Sequence, residues 1–93
     1  MALEFVWDPA KAAANLRKHG VSFPEATTAF ADPNSLTVSD PDHSATEERL
    51  ILLGLSTRSR LLIVAHTERG DVIRLISARK ATRKERTTYE EEL

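Results

Sequence analysis

From Leu3 to Trp7 apolar and polar positions alternate closely enough (Leu-Glu-Phe-Val-Trp) to predict a strand. Asp8-Pro9 ends it and starts a helix, Asp8 as cap and Pro9 at the first helical position. Good helix formers run from Lys11 to His19, and Gly20 closes the segment after the positively charged Lys18-His19, which makes this trio a helix end rather than a catalytic motif. A second helix follows at once: Ser22 can cap it, Pro24 and Glu25 suit its first turn, and Ala26, Ala29 and Phe30 form its apolar side until Asp32-Pro33-Asn34 stops it. Leu36-Thr37-Val38 predicts a short strand, and Ser39 to Thr46 a polar loop. Three runs rich in Leu, Ile and Val (47–55, 61–67 and 72–78), separated by short polar turns, predict an antiparallel meander. Thr82-Arg83-Lys84-Glu85 fits a capping box, so a last helix should run toward Leu93. The order βααβ, three strands and a helix is that of an α+β protein, an antiparallel sheet with an N-terminal two-helix hairpin and a C-terminal helix. Residues 1–93 fit one domain.

Composition narrows the possible functions. With 41% hydrophobic and 29% charged residues the chain is an ordinary folding sequence without low-complexity segments. No run approaches the roughly 18 apolar residues of a membrane span, and Met1-Ala2-Leu3-Glu4 lacks a signal peptide's basic start, so a cytoplasmic protein without membrane contact is expected. The absence of cysteine excludes disulfides and thiolate metal sites, and His19, His43 and His66 have no paired-ligand spacing; neither metal nor cofactor is expected. The net charge of -1 conceals an asymmetry. Through Thr57 there are eight acids against four bases, and from Arg58 onward nine bases against six acids. Such a division can create an anion-binding face on a nearly neutral molecule.

Several short motifs then combine: Trp7-Asp8-Pro9, Lys11, Asn15, Lys18-His19-Gly20-Val21, Phe23, Ala26, Asp42-His43, Glu48-Arg49, Gly54 and the stretch from Gly70 to Arg79. Lys-His-Gly-Val-x-Phe early and Arg-x-Ile-Ser-Ala-Arg late are specific as a pair, and together the motifs resemble the BrnT toxins over nearly the whole chain. The resemblance implies a RelE-like fold, a ribonuclease toxin of a type II toxin-antitoxin system that inhibits translation, and a cognate antitoxin of the ribbon-helix-helix DNA-binding type.

Metal-free RNA cleavage needs a base for the 2'-hydroxyl, cations for the charge growing on the phosphate, and an acid for the departing 5'-oxygen. Arginine suits the middle role through its planar, permanently charged fork. Candidates are His66, Arg74, Arg79, Tyr89 and Glu48 for catalysis, and Lys80, Arg83, Lys84 and Arg86 for holding RNA. A three-residue turn Glu68-Arg69-Gly70 would pair His66 with Val72 and set His66 and Arg74 on one face as diagonal neighbours. A two-residue turn would place them on opposite faces. Tyr89 could stack on a base, donate a proton or anchor the last helix on the sheet. Glu48 and Arg49, adjacent on a strand, must point to opposite faces, and a cross-strand ion pair suits either.

The meander carries apolar residues at both parities, Ile51, Leu53 and Leu55 on one and Leu50 and Leu52 on the other, so a face left open by the helices calls for a partner. An antitoxin presenting acids to Arg74, Arg79, Lys80 and Arg83 would fit, with operator DNA bound only through the toxin-antitoxin complex. Two rivals share the fold: an inactive RNA-binding module and a pure protein-interaction domain.

Overall fold

The structure, a computed structural model, describes residues 3–40 and 48–93. The elements are β1 (Glu4–Val6), α1 (Pro9–His19), α2 (Phe23–Ala29), β2 (Leu36–Ser39), β3 (Leu50–Leu55), β4 (Leu61–Arg69), β5 (Val72–Lys80) and α3 (Arg83–Glu91). The predicted order is the observed one. Most of the loop expected over residues 39–46, including the Asp42-His43 pair, lies outside the described residues.

Local chemistry accounts for the helix ends. Asp8 accepts the Ala10 N–H at 2.8 Å at the start of α1, and the Gly20 N–H bonds to the Leu16 carbonyl at its end. Ser22 caps α2 by accepting the Glu25 N–H at 3.1 Å. At α3 both bonds of the capping box form: the Glu85 N–H donates to Thr82 Oγ1 at 3.2 Å, and the Thr82 N–H donates to Glu85 Oε1 at 2.8 Å.

One five-stranded sheet has the order β1-β5-β4-β3-β2. It is antiparallel except at β1, which runs parallel to β5 with Val6 opposite Arg74. That pairing joins the two ends of the sequence and has no local signature. α1 and α2 cover one face, where Val21, Phe23, Ala26 and Ala29 pack with Leu52, Leu62, Val64, Ile73, Leu75 and Ala78. Gly54 is required where α2 meets the sheet, because an added Cβ would stand 2.8 Å from the Ala29 carbonyl oxygen. The second face is not wholly open: α3 crosses it, burying Tyr89 against Leu53 and Leu61.

Two features of the β4–β5 hairpin correct the expected register. The turn has two residues, Gly70 and Asp71, with Gly70 at φ 59, the left-handed region required at the first central position of a type II′ turn. Arg69 therefore pairs with Val72, Thr67 with Arg74, and His66 with Leu75 rather than Val72. Beyond that point Ala65 pairs with Ser77, so Ile76 is an extra residue, a β-bulge in β5. His66 points into the helix-covered core and Arg74 out of the other face, which rules out their predicted diagonal contact.

The open edge of β5 is closed by a side chain. Asn15 of α1 accepts the Ala78 N–H at 3.0 Å and donates to the carbonyls of Ala78 and Val21 at 2.8 and 2.9 Å, standing in for a missing strand. Each of these groups is buried, and each would cost free energy if left unpaired.

Candidate active site

Where β1 stops, the chain turns away through Trp7 and Asp8 into α1, leaving a cleft of about 150 Å³ beside β5. Asp8 and Lys11 line it from the start of α1, Thr67 from β4, and Arg74 and the bulged Ile76 from β5. Arg49 completes it: the next residue, Leu50, pairs with His66, which brings Arg49 level with Thr67 and its partner Arg74. The bulge bends β5 at the cleft wall, a place where such irregularities commonly re-aim side chains.

The cleft gathers three cations, Lys11, Arg49 and Arg74, against the single carboxylate of Asp8. Among the described residues no acid forms an ion pair with any of the three. Two other arginines, Arg60 and Arg79, are held by carboxylates. Arg60 makes a bidentate pair with Glu25, its Nε 2.9 Å from Oε2, and also donates to the Gly20 carbonyl. The Arg60 hydrogen bond pulls the Glu25 carboxyl below the ordinary carboxylate range in spite of its burial, helped by Ser56. Unpaired arginines beside a lysine are suited to a phosphodiester, whose oxygens accept a guanidinium fork.

Of the residues proposed from sequence, Arg74 alone lines this cleft. His66 is fully buried, its ring edge-on to Phe30 with centroids 4.8 Å apart, with Nε2 3.0 Å from Glu68 and Nδ1 3.2 Å from the Val64 carbonyl. It presents no surface to a substrate. Arg79 forms two 2.9 Å bonds to the Glu85 carboxylate. Those bonds hold Glu85 at a pKa of about 2 and raise that of Arg79. Tyr89 donates to Asp32 Oδ2 at 2.6 Å; that bond and burial push its hydroxyl up to about 12. Burial pushes the Asp32 carboxyl up, but Tyr89 and the N–H groups of Leu55 and Asn34 outweigh it and hold the group low. Tyr89 is thus the anchor of α3. Glu48 accepts the Ser39 hydroxyl at 3.2 Å, outside the cleft.

Lys80, Arg83, Lys84 and Arg86 are all exposed, where β5 passes into α3. Lys80 lies six residues along β5 from Arg74, roughly 20 Å. They form a second basic zone, separate from the cleft. Sequence reasoning left Asp8, Lys11 and Arg49 out of the site, although each lies in a motif that carried the family resemblance. Asp8 had an adequate structural role as a cap, and the approach of Lys11 and Arg49 to Arg74 depends on the parallel β1–β5 pairing and on the bulge.

The family described as the ribonuclease toxin BrnT of type II toxin-antitoxin systems matches residues 7–85. Among solved structures, the 1.1 Å crystal structure of the Brucella abortus ribonuclease toxin BrnT is similar in fold, with a TM-score of 0.64 and 21% identity. The similarity covers 88% of this chain and 100% of the Brucella one. No curated protein matches the chain in sequence. With the family match extending over most of its length, and the same fold in a solved relative, this chain belongs to the BrnT family of ribonuclease toxins.

Proposed function

We propose that this protein is a metal-independent endoribonuclease toxin whose scissile phosphate sits in the cleft between Lys11, Arg49 and Arg74. The observation that carries this reading is that these three cations converge there without an acidic partner among the described residues. In the proposed reaction the 2'-oxygen attacks phosphorus as the bond to the 5'-oxygen breaks, leaving a 2',3'-cyclic phosphate and a 5'-hydroxyl. Arg74 and Arg49 stabilise the charge on the equatorial oxygens, at the scale of donors preorganised for a transition state. Asp8, the one carboxylate in the cleft, takes the 2'-proton, and Lys11 supplies one to the departing oxygen.

This assignment keeps Arg74 from the sequence-based set and moves catalysis away from His66, Arg79, Tyr89 and Glu48. Lys80, Arg83, Lys84 and Arg86 keep the role of an electrostatic track for the flanking RNA. Translation inhibition would follow from cleavage of messenger RNA in the cytoplasm. A type II toxin is paired with a protein antitoxin; here that partner would be a ribbon-helix-helix protein presenting acids to the basic surface, and the complex rather than the toxin would bind operator DNA.

Partner-free protein incubated with RNA in excess EDTA provides the test. Cleavage to cyclic-phosphate ends is expected. Loss of cleavage restored by Mg²⁺ would refute the chemistry; binding without cleavage would indicate an RNA-binding module, and neither would indicate an interaction domain. Asp8→Asn separates base from cap, since asparagine caps a helix equally well. It should slow cleavage by about 10² or more, within the range of a general base, with unchanged melting temperature; normal cleavage would remove Asp8 from the mechanism.

A further inference from the structure

Arg74 and Thr67 line two cavities rather than one. Behind the phosphate cleft, on the same face of the sheet, a second depression of about 210 Å³ is formed by Val6, Val72 and Arg69 together with Arg74 and Thr67. The strand register fixes its shape. Val6 stands opposite Arg74 and Arg74 opposite Thr67, while Val72 stands opposite Arg69, so two adjacent rows cross the β1–β5–β4 edge with side chains on one face. The two valines remain 36% and 37% exposed, an apolar floor left uncovered where α3 does not reach. Beside Val72 stands Arg69, its partner on β4, which forms no ion pair with a described acid.

We infer that this depression is a nucleobase subsite, which receives the base next to the phosphate held in the cleft and favours guanine. The inference rests on the ribonuclease reading of the cleft. A nucleotide places its base one sugar away from its phosphate, and the shared Arg74–Thr67 wall is the corresponding boundary between a cationic cleft and an apolar-floored one. A planar base covers the valines with one face, an apolar contact open to any base. Selectivity comes from the edge: Arg69 is a donor only, and guanine, with O6 and N7 side by side, is the base that accepts its fork bidentately, while Arg74 stays with the phosphate. An apolar peptide side chain would fill the floor but leave both guanidiniums unpaired.

Binding to the intact protein with labelled valine methyls and arginine side chains tests this without cleavage, using a 2'-O-methyl guanine dinucleotide and, separately, inorganic phosphate. The dinucleotide should shift the methyls of Val6 and Val72 and the Arg69, Arg49 and Arg74 signals, and phosphate the Arg49 and Arg74 signals without the valines. Arg69→Ala should weaken the dinucleotide about tenfold, the scale of one lost bidentate base contact, with phosphate affinity unchanged and the advantage of guanine over uracil gone. Unmoved valine methyls with a shifted Arg74 would overturn the base subsite while leaving the phosphate cleft standing. Equal loss of phosphate and dinucleotide binding in Arg69→Ala would reduce Arg69 to general attraction and also overturn it. No response of Arg74 to either probe would bring down the cleft and the subsite together.

Discussion

The two ends of β5 are both rich in cations, and they use them in opposite ways. At the end near Arg74 no described acid holds the cations: Asp8, the one carboxylate in the cleft, caps α1 and pairs with none of them, while Asn15 fixes α1 farther along through neutral bonds, two to Ala78 of the strand and one to the Val21 carbonyl. Lys11, Arg49 and Arg74 are left for a ligand. At the other end the arginine on the strand holds the protein itself: Arg79 is forked onto Glu85 and Tyr89 is bonded to Asp32, so that α3 stays on the sheet, while Lys80, Arg83, Lys84 and Arg86 remain exposed. An arginine already satisfied by a carboxylate has little left for a transition state. The number of basic residues in a segment therefore says less about function than which of them lack an acid.

The largest effect that could break this comparison is on catalysis. Arg74→Ala should reduce cleavage by about 10²- to 10³-fold, as when one preorganised donor is lost, with the fold retained. Arg79→Ala should leave cleavage within a few-fold of wild type and lower the melting temperature instead. Single-turnover rates alongside thermal melts decide the matter; the reverse pattern would move the active site to the α3 end.

Next in size is the scaffold. Asn15→Ala removes the partners of the buried Ala78 N–H and carbonyl, and should cost about 2–3 kcal/mol, the penalty of stranding buried polar groups. Because the lost bonds are neutral, the change in urea-unfolding free energy should be the same at low and high salt. Lys11 lies one helical turn before Asn15, so cleavage should fall further than unfolding alone explains. A substitution costing under 0.5 kcal/mol, on the scale of an ordinary surface change, would mean that the edge of β5 is held by other contacts.

The elements were legible in the sequence wherever their cause is local. Asp8-Pro9, Ser22, Gly20 and the Thr82–Glu85 box each specify a helix end within a few residues, and the three apolar runs specify the meander. What could not be read has non-local or single-residue causes. The β1–β5 pairing links positions 4–6 to 72–74, and nothing in either segment names the other. Gly70 fits both a two-residue and a three-residue turn, and that one-residue choice transferred His66 from the face of Arg74 to the core. The bulge at Ile76 has no mark in the run Val-Ile-Arg-Leu-Ile-Ser. The basic segment after Arg79 was visible, but not that Glu85, the capping residue, also takes the Arg79 fork.

The smallest expected effect sharpens the α3 end. Glu85 is held at about 2, below its ordinary 4.5, chiefly by Arg79. A depressed carboxyl contributes stability that is complete above pH 4.5 and disappears as the pH falls through about 2. The side chains of Arg79 and Glu85 remain 40% and 30% exposed, so solvent screening limits the contribution to roughly 0.5–1 kcal/mol. Glu85→Gln should loosen α3 by that amount at neutral pH, seen as faster amide exchange over residues 86–90, while the difference from wild type narrows between pH 4.5 and 2. Exchange in the variant should still quicken with acid, because Asp32 is also held low by Tyr89 and backbone N–H groups and loses those bonds on protonation. High salt should shrink the difference between the two proteins, since the pair is partly exposed, whereas it leaves the cost of Asn15→Ala unchanged. Equal exchange in wild type and Glu85→Gln at neutral pH would show that Tyr89 alone anchors α3, and that Arg79 is available to a substrate after all.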